Sequence, residues 1–171
     1  LSLNLIDLPG TYSLAARSPD EMVAVDLLLG RRPEEPRPDA IVSIVDASNL
    51  DRHLYLTSQL FDLGVPVILA VNMVDMAQAQ GLRLDFAKLG EALGIPVVAV
   101  QANKGIGIEA LKKAIAAAID ATELPQGPRL SVEFEKEVAN LQAELGDEIP
   151  PILIRRMLLD VGGYEIGRAH V

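Results

Sequence analysis

The chain has 171 residues, of which 50% are hydrophobic and only 4% aromatic, and this composition suits an α/β protein better than an all-β one. The length allows one good-sized domain, or one domain with a small appendage. The net charge of −9 argues against a general nucleic-acid surface, which requires a basic stripe that the sequence lacks. The absence of cysteine excludes disulfides and thiolate metal sites, and it fits a reducing compartment.

The sequence contains no apolar stretch near the ~20 residues that a membrane-spanning helix requires. No charged segment followed by an apolar one opens the chain, so no signal peptide is visible. Because the chain begins with Leu1 rather than Met, we expect it to be a piece of a larger protein.

Four short runs rich in Ile and Val alternate with helical patterns over the first 120 residues. Short apolar runs of this kind are typical of buried strands in a parallel sheet. The alternation predicts an α/β fold with a doubly wound parallel sheet and right-handed crossovers. The predicted strands are residues 1–8, 40–46, 66–72 and 96–100.

The helical segments carry recognisable start and stop signals. Ser18 is predicted to be an N-cap with Pro19 at the first helical position, and Gly64 and Gly94 are predicted to end two later helices. The proline-containing residues 30–39 predict an exposed loop. The predicted helices of this part are residues 20–29, 49–63, 86–93 and 108–119.

Beyond Asp120 the strand signals stop. Residues 124–128 resemble a linker, and a helical stripe then runs over residues 134–145, with a second helix expected from 150 to about 160. We therefore predict an α/β domain over residues 1–122, a linker over 123–130 and a truncated helical domain over 131–171.

The first motif is Asp7 with Gly10 three positions later, directly after an apolar run. In nucleotide switches an aspartate leaving a strand reaches Mg²⁺, usually through water, and the glycine N–H faces the γ-phosphate. Alone the pattern is weak, because it also describes a strand that ends in a turn. Such a site further needs a glycine-rich loop with a lysine and a hydroxyl, which we expect to be encoded upstream.

Two later motifs follow predicted strands, at the strand ends where doubly wound folds bind ligands. Asp75 can accept hydrogen bonds from the N1–H and N2–H₂ groups of guanine, which adenine does not offer, and Asn72 can fix the loop and reach the base. After the next strand, a backbone N–H near Ala102 can face the guanine O6. Asn/Asp turns after strands are the alternative explanation. The order of all three motifs favours a nucleotide switch.

Other polar residues receive no functional role. We interpret His53 as an exposed helical histidine without a partner and assign nothing to His170. We expect Asp46 to end a strand and to help position the next loop. The acids Glu133, Glu135 and Glu137 are interpreted as a solvated helix start rather than an iron site.

Longer phrases around these motifs resemble the ferrous iron transport protein B family, FeoB. The resemblance covers about residues 3–120. In that family a cytoplasmic G domain is followed by a helical GDI-like domain and then by a membrane-embedded Fe²⁺ transporter. The phrases are Asp7-Leu-Pro-Gly-Thr-Tyr-Ser-Leu, Ser18-Pro-Asp-Glu, Val45-Asp-Ala-Ser-Asn-Leu and Asn72-Met-Val-Asp75.

The resemblance implies GTP or GDP and Mg²⁺ as cofactors. It makes Asp7 and Gly10 the Mg²⁺ and γ-phosphate sensor, Asn72 and Asp75 the guanine-recognition motif, and Ala102 part of the last motif. Switch II would run from residue 11 to about 29, and residues 131–171 would begin the GDI-like domain. The segment itself would be soluble, at the cytoplasmic face of the bacterial inner membrane, with the transporter domain as its partner.

The resemblance also bears on catalysis. Thr11 stands where Ras-type enzymes place the glutamine that orients water, so hydrolysis is expected to be slow or organised otherwise, and no catalytic residue is assigned. We expect GTPase activity in the intact protein and none in this fragment alone. Two alternatives stay open: a soluble Era-like ribosome-associated GTPase, and a catalytically inert interaction module that keeps the G fold.

Overall fold

The computed structural model describes residues 4–11, 14, 18–32, 34–120, 131–146, 149, 154–155 and 157–158. The chain divides into two compact units, Leu1–Gly127 and Pro128–Val171. The predicted linker at 123–130 lies outside the described residues, so the predicted bounds 1–122 and 131–171 stay a prediction.

A parallel sheet forms the centre of the first unit. Its strands pair in the order β1 (Ile41–Asp46), β2 (Val67–Asn72) and β3 (Val97–Ala99). The central strand β2 is buried from Val67 to Val71, as expected of a parallel strand covered on both faces. Three of the four predicted strands and the α/β fold class are confirmed.

The predicted strand over residues 1–8 is wrong for the part that the structure describes. Residues 4–8 carry no strand, and the Leu5 side chain is 85% exposed. A strand is defined by its ladder of hydrogen bonds to a neighbour, and no described strand pairs with these residues. An apolar run in the sequence does not show whether a neighbouring strand is present to pair with it. Residues 1–3 lie outside the described residues.

Five helices of the first unit are described, and four of them follow the predicted patterns. The N-cap of the first is confirmed, because the Ser18 Oγ accepts from the Glu21 N–H and the Glu21 carboxylate accepts from the Ser18 N–H, each at 3.3 Å. The third helix, directly after β2, is one that the sequence did not predict. They are α1 (Pro19–Leu28), α2 (Leu50–Leu60), α3 (Val74–Ala79), α4 (Phe86–Leu93) and α5 (Ile108–Ile119).

The described part of this unit also contains two 3₁₀ turns. Phe61–Leu63 extends α2 as far as Gly64, whose φ of 64° ends the helix, and Ala102–Lys104 follows β3. The helix α2 packs on β1, α4 on β3, and α5 on both β2 and β3. Because the three strands are parallel, their carboxyl ends lie at one edge of the sheet.

In the second unit the described residues are mainly α6 (Val132–Leu145), which confirms the helical stripe predicted there. The Ser131 Oγ caps it by accepting from the Phe134 N–H at 3.2 Å. Residues 154–155 and 157–158 are also helical, and the rest of the helix predicted from 150 to 160 lies outside the described residues. None of the described helices is long and apolar enough to cross a membrane.

Candidate functional site

The carboxyl ends of β1 and β2 lie side by side in the sheet. Asp46 is paired in register with Asn72, and the Ala47 N–H donates to the Asn72 carbonyl at 2.9 Å. The chain after β3 enters the 3₁₀ turn Ala102–Lys104 at the same edge, because the strands are parallel. Open α/β sheets bind ligands at this edge.

The motif after β2 is joined to the motif after β3 by a hydrogen bond. The Asn72 Oδ1 accepts from the backbone N–H of Ala102 at 3.1 Å, across 30 residues of sequence. The N–H predicted to face a guanine O6 is therefore engaged with Asn72 in this structure. A contact between Ala102 and a base stays a prediction.

Asp75 lies in the first turn of α3 with both carboxylate oxygens engaged. Its Oδ2 is 2.7 Å from the Lys104 Nζ, and its Oδ1 accepts from the Met76 N–H at 3.1 Å. The hydrogen bond from Lys104 lowers the pKa of Asp75 below its ordinary value, assisted by the charge of that lysine. Asp75 is thus an ionised acceptor that stays partly open to solvent.

Four residues therefore form one connected group at the sheet edge. Sequence reasoning named three of them and missed Lys104, although it stands two residues after Ala102 within the third motif. The sequence around a loop lysine does not indicate which carboxylate it will contact, because that depends on the folded chain. We call this group the strand-end cluster: Asn72, Asp75, Ala102 and Lys104.

Asp46 fixes the loop after β1, as expected. Its Oδ1 accepts from the Ser48 N–H at 2.8 Å and from the Ser48 hydroxyl at 2.7 Å. These hydrogen bonds lower the pKa of Asp46 and keep its carboxylate ionised. The side chain is occupied in a turn, which is a structural role.

The interpretation of His53 as an exposed residue without a partner is wrong. Its ring is half-buried, and its Nδ1 accepts from the Asp46 N–H at 3.1 Å. Helix α2 packs on β1, so the histidine lies against the end of that strand, where the Asp46 N–H needs an acceptor. Helical periodicity placed this residue on α2 but did not reveal the strand end beside it.

Asp7 and Gly10 are exposed and belong to no such cluster. Asp7 makes no hydrogen bond or ion pair within the described part of the chain, and a Cβ built on Gly10 would meet nothing within 4 Å. No group of three or more His, Cys, Asp or Glu side chains among the described residues is placed to hold a metal ion. The roles predicted for Asp7 and Gly10 stay predictions.

The segment after Gly10 is anchored at one point that the structure describes. Leu14 is 1% exposed, and its N–H donates to the Gln59 Oε1 on α2 at 2.8 Å. The capped start of α1 follows at Ser18.

The acids of the second unit lie at the start of α6, as interpreted from the sequence. Glu133 and Glu135 are in its first turn, and the pKa of Glu133 is lowered by its own backbone N–H and by the Ser131 side chain. Glu135 forms an ion pair with Arg155 at 2.8 Å. These contacts serve the helical unit itself.

Comparison with known proteins identifies the same family as the motifs. A protein-family model described as ferrous iron transport protein B matches residues 1–115. The Fe(2+) transporter FeoB of Legionella pneumophila (strain Paris) is 44% identical over 117 residues, which are 66% of this chain and 15% of that protein. The FeoB of Salmonella typhimurium (strain LT2) is 47% identical over 117 residues, again 66% of this chain and 14% of that protein. The chain thus spans about 15% of the length of the curated relatives that it matches.

Solved structures agree. The cytosolic domain of T. maritima FeoB in apo form has a TM-score of 0.82 at 28% identity, covering 96% of this chain and 64% of that one. An S. thermophilus NFeoB mutant bound to GDP has a TM-score of 0.81 at 34% identity, with coverages of 95% and 62%. The mGMPPNP-bound NFeoB of S. thermophilus has a TM-score of 0.79 at 35% identity, with coverages of 94% and 60%.

The matches favour the FeoB interpretation over the Era-like alternative, since the family model and the relatives named above are all FeoB proteins. The α/β fold described above is the fold of the G domain in these relatives. This chain belongs to the FeoB family of ferrous iron transport proteins, and its first unit carries residues of the family's G domain.

Proposed function

We propose that these residues are part of the guanine-nucleotide-binding regulatory G domain of an Fe²⁺ membrane transporter. In the complete protein, GTP binding and hydrolysis are coupled to iron uptake. The observation that carries this proposal is the strand-end cluster, in which an ionised aspartate is held at the ligand-binding edge of a parallel sheet. GDP and mGMPPNP, bound to the S. thermophilus relatives, are the ligand class expected here.

Asp75 has the hydrogen-bonding capacity that guanine requires. An ionised carboxylate offers about four lone-pair sites. Lys104 and the Met76 N–H use one site on each oxygen, which leaves one on each for the N1–H and N2–H₂ of guanine. Adenine lacks these two donors, so the same carboxylate discriminates against it. Asn72 supports this reading of the base because it ties Ala102, and with it the last motif, to the end of β2.

Asp7 is the residue proposed to hold Mg²⁺, through water. Mg²⁺ sites in nucleotide-binding proteins use one or two carboxylates together with waters and phosphate oxygens, so a single exposed carboxylate with no competing partner among the described residues fits that chemistry. When bound, the metal ion neutralises charge on the phosphates. Gly10 is exposed and has no side chain, so a phosphate oxygen can approach its backbone without meeting a Cβ.

Residues 11–29 are proposed as switch II. Leu14 is buried and hydrogen-bonded to Gln59 on α2, so a movement of the backbone at Gly10 can be passed to that helix. The signal would then pass through the helical unit to the membrane domain, the partner that handles Fe²⁺. We place the segment at the cytoplasmic face of the bacterial inner membrane. Thr11 in place of a glutamine implies that GTP hydrolysis in the complete protein is slow or is organised by other residues.

The test is the Asp75→Asn substitution in the complete FeoB protein, with affinities for GDP and xanthosine diphosphate measured by calorimetry. Asparagine replaces one acceptor oxygen by a donor NH₂, which repels the guanine N1–H and N2–H₂ edge and suits the extra carbonyl of xanthine. We expect the affinity for GDP to fall by roughly 30-fold or more and that for xanthosine diphosphate to rise.

The matched control is Asp51→Asn, which makes the same chemical change at an exposed position in the first turn of α2. It should leave both affinities unchanged. Equal GDP affinity in the Asp75→Asn variant and the wild type would contradict the assignment of Asp75. A wild type that binds no guanine nucleotide would instead support the inert interaction module.

A further inference from the structure

We propose that Lys104 is the positioning residue for Asp75: it holds the carboxylate in the orientation that guanine requires and so sets the preference for guanine over a base that lacks the 2-amino group. The inference rests on the proposed function, because Lys104 can affect guanine binding only if Asp75 recognises guanine. It adds to that function a residue that contacts the Asp75 carboxylate rather than the base.

The carboxylate of Asp75 is held at both oxygens. The Lys104 Nζ lies 2.7 Å from Oδ2, and the Met76 N–H donates to Oδ1 at 3.1 Å. Two donors on different oxygens fix the rotation of a planar carboxylate, which a single contact does not. The Asp75 side chain is 34% exposed, so without the lysine it is free to turn towards solvent.

The loop that carries Lys104 is itself closed by backbone hydrogen bonds. Gln101 and Ile106 exchange N–H···O=C bonds of 3.0 and 3.2 Å, and the Lys104 N–H donates to the Gln101 carbonyl at 2.9 Å. Gly105 turns the chain with a φ of 69°, a conformation that glycine adopts without strain. The lysine therefore extends from a defined turn.

The strand-end cluster closes into a ring of contacts. Asn72 and Asp75 are three residues apart, as the end of β2 and the first turn of α3, and Ala102 and Lys104 are two apart in the opposite turn. Asn72 binds Ala102, and Asp75 binds Lys104. Each motif thus fixes the other, and the direction of the Asp75 carboxylate depends on both.

The lysine also supplies charge. Among the described residues, Lys104 is the charged group that acts on Asp75, and it lowers the pKa of that carboxyl. A carboxylate must be ionised to accept both guanine donors, so affinity is lost as the pH falls through the pKa of Asp75. Without the lysine that pKa moves back towards its ordinary value, and the loss of affinity begins at a higher pH.

The experiment compares Lys104→Met and Lys104→Arg with the wild type in the complete protein. Affinities for GDP and inosine diphosphate, whose base lacks the 2-amino group, are measured by calorimetry from about pH 3 to pH 8, a range that includes the ordinary aspartate pKa of about 3.9. The matched control is Lys112→Met, which removes a lysine from an ion pair of the same 2.7 Å length with Glu109 on α5.

We expect Lys104→Met to weaken GDP binding about three- to fivefold at neutral pH, the size typical of an exposed ion pair. The ratio of GDP to inosine diphosphate affinity should fall, and the acid limb of GDP binding should move to higher pH. Lys104→Arg should recover most of the affinity because it keeps the charge. Lys112→Met should match the wild type in all three measurements.

A third variant separates this proposal from the proposed function. Asp75→Asn should abolish guanine preference, and Lys104→Met added to it should change nothing further, because the lysine acts through Asp75. If Asp75→Asn loses guanine while Lys104→Met leaves affinity, selectivity and pH profile intact, the positioning role is wrong and the proposed function stands. Tighter GDP binding in Lys104→Met would also overturn it, since the lysine would then compete with guanine.

Discussion

At the scale of single residues, two backbone conformations shape the sheet edge. Met73 makes the turn from β2 into α3 with φ 58° and ψ 32°, a left-handed conformation that costs a non-glycine residue about 1–2 kcal/mol. This turn lets Asn72 end a strand and Asp75 open a helix three residues later. Strain of this kind is concentrated at functional sites, where the surrounding structure holds it in place.

Gly107 is the second such residue, and here only glycine fits. Its φ is 85°, and a Cβ at this position would lie 2.3 Å from the Ala99 carbonyl oxygen and 3.1 Å from the Val100 Cα. We expect Gly107→Ala to lower the free energy of unfolding by about 2–4 kcal/mol, since the left-handed strain and the overlap with backbone add together. Urea denaturation followed by circular dichroism measures this.

Gly64→Ala is the control for that prediction. Gly64 has a φ of 64°, but a Cβ built on it meets nothing within 4 Å, so the variant bears the conformational strain alone. We expect a loss of about 1 kcal/mol. If the two variants lose the same free energy of unfolding, the close approach of β3 to Gly107 does not contribute to the cost of Gly107→Ala.

At the scale of elements, a buried polar pair joins α2 to β1. The Ser43 and Thr57 hydroxyls are 2.9 Å apart, and Thr57 also lies 3.3 Å from the His53 carbonyl. Because Thr57 donates to that carbonyl, Ser43 must be the donor between the two hydroxyls. Ser43 is 6% exposed and Thr57 is fully buried, so water does not replace either partner.

Thr57→Val should lower the free energy of unfolding by about 1–3 kcal/mol, because it leaves the buried Ser43 hydroxyl without its acceptor. The double variant Ser43→Ala with Thr57→Val should recover part of that loss, since both polar groups are then gone. Thermal and urea denaturation of the single and double variants measure the difference.

Ser58→Ala is the control on the same helix, where an exposed hydroxyl donates to the Tyr55 carbonyl, and it should change stability by less than about 0.5 kcal/mol. A double variant less stable than Thr57→Val alone would show that the pair does not act as a hydrogen-bonded unit.

At the scale of the whole molecule, the described residues assemble the part of the site that we propose to recognise the base. The strand-end cluster is assembled, whereas Asp7 and Gly10 have no partner in the part of the chain that the structure describes. The 171 residues also contain no glycine-rich loop ending in Gly-Lys-Ser or Gly-Lys-Thr, whose N–H groups and lysine hold phosphates in such proteins.

The 171-residue chain alone should therefore release phosphate from GTP no faster than a buffer blank. The reason is that hydrolysis depends on positioning the γ-phosphate, which Asp7 and Gly10 do not accomplish by themselves. A coupled phosphate-release assay measures this, with Asp75→Asn as the control for contaminating GTPases. Release that exceeds both the blank and the Asp75→Asn variant would contradict the prediction.

The sequence by itself determined the local features of this protein. The strands 41–46, 67–72 and 97–99, the helix caps and stops, and the order of the three motifs all follow from side-chain pattern and backbone preference within a few neighbouring residues. The family followed from the same local phrases. The predicted strand at residues 4–8 failed because pairing is not local.

Only the tertiary structure decided which distant groups meet. The contacts between Lys104 and Asp75, Ala102 and Asn72, and His53 and the end of β1 join residues that are 29, 30 and 7 positions apart. No propensity or spacing encodes them, because each depends on how parallel strands and their helices are placed against one another. The left-handed turn at Met73 could not be predicted from the sequence either, since methionine has no local preference for this conformation.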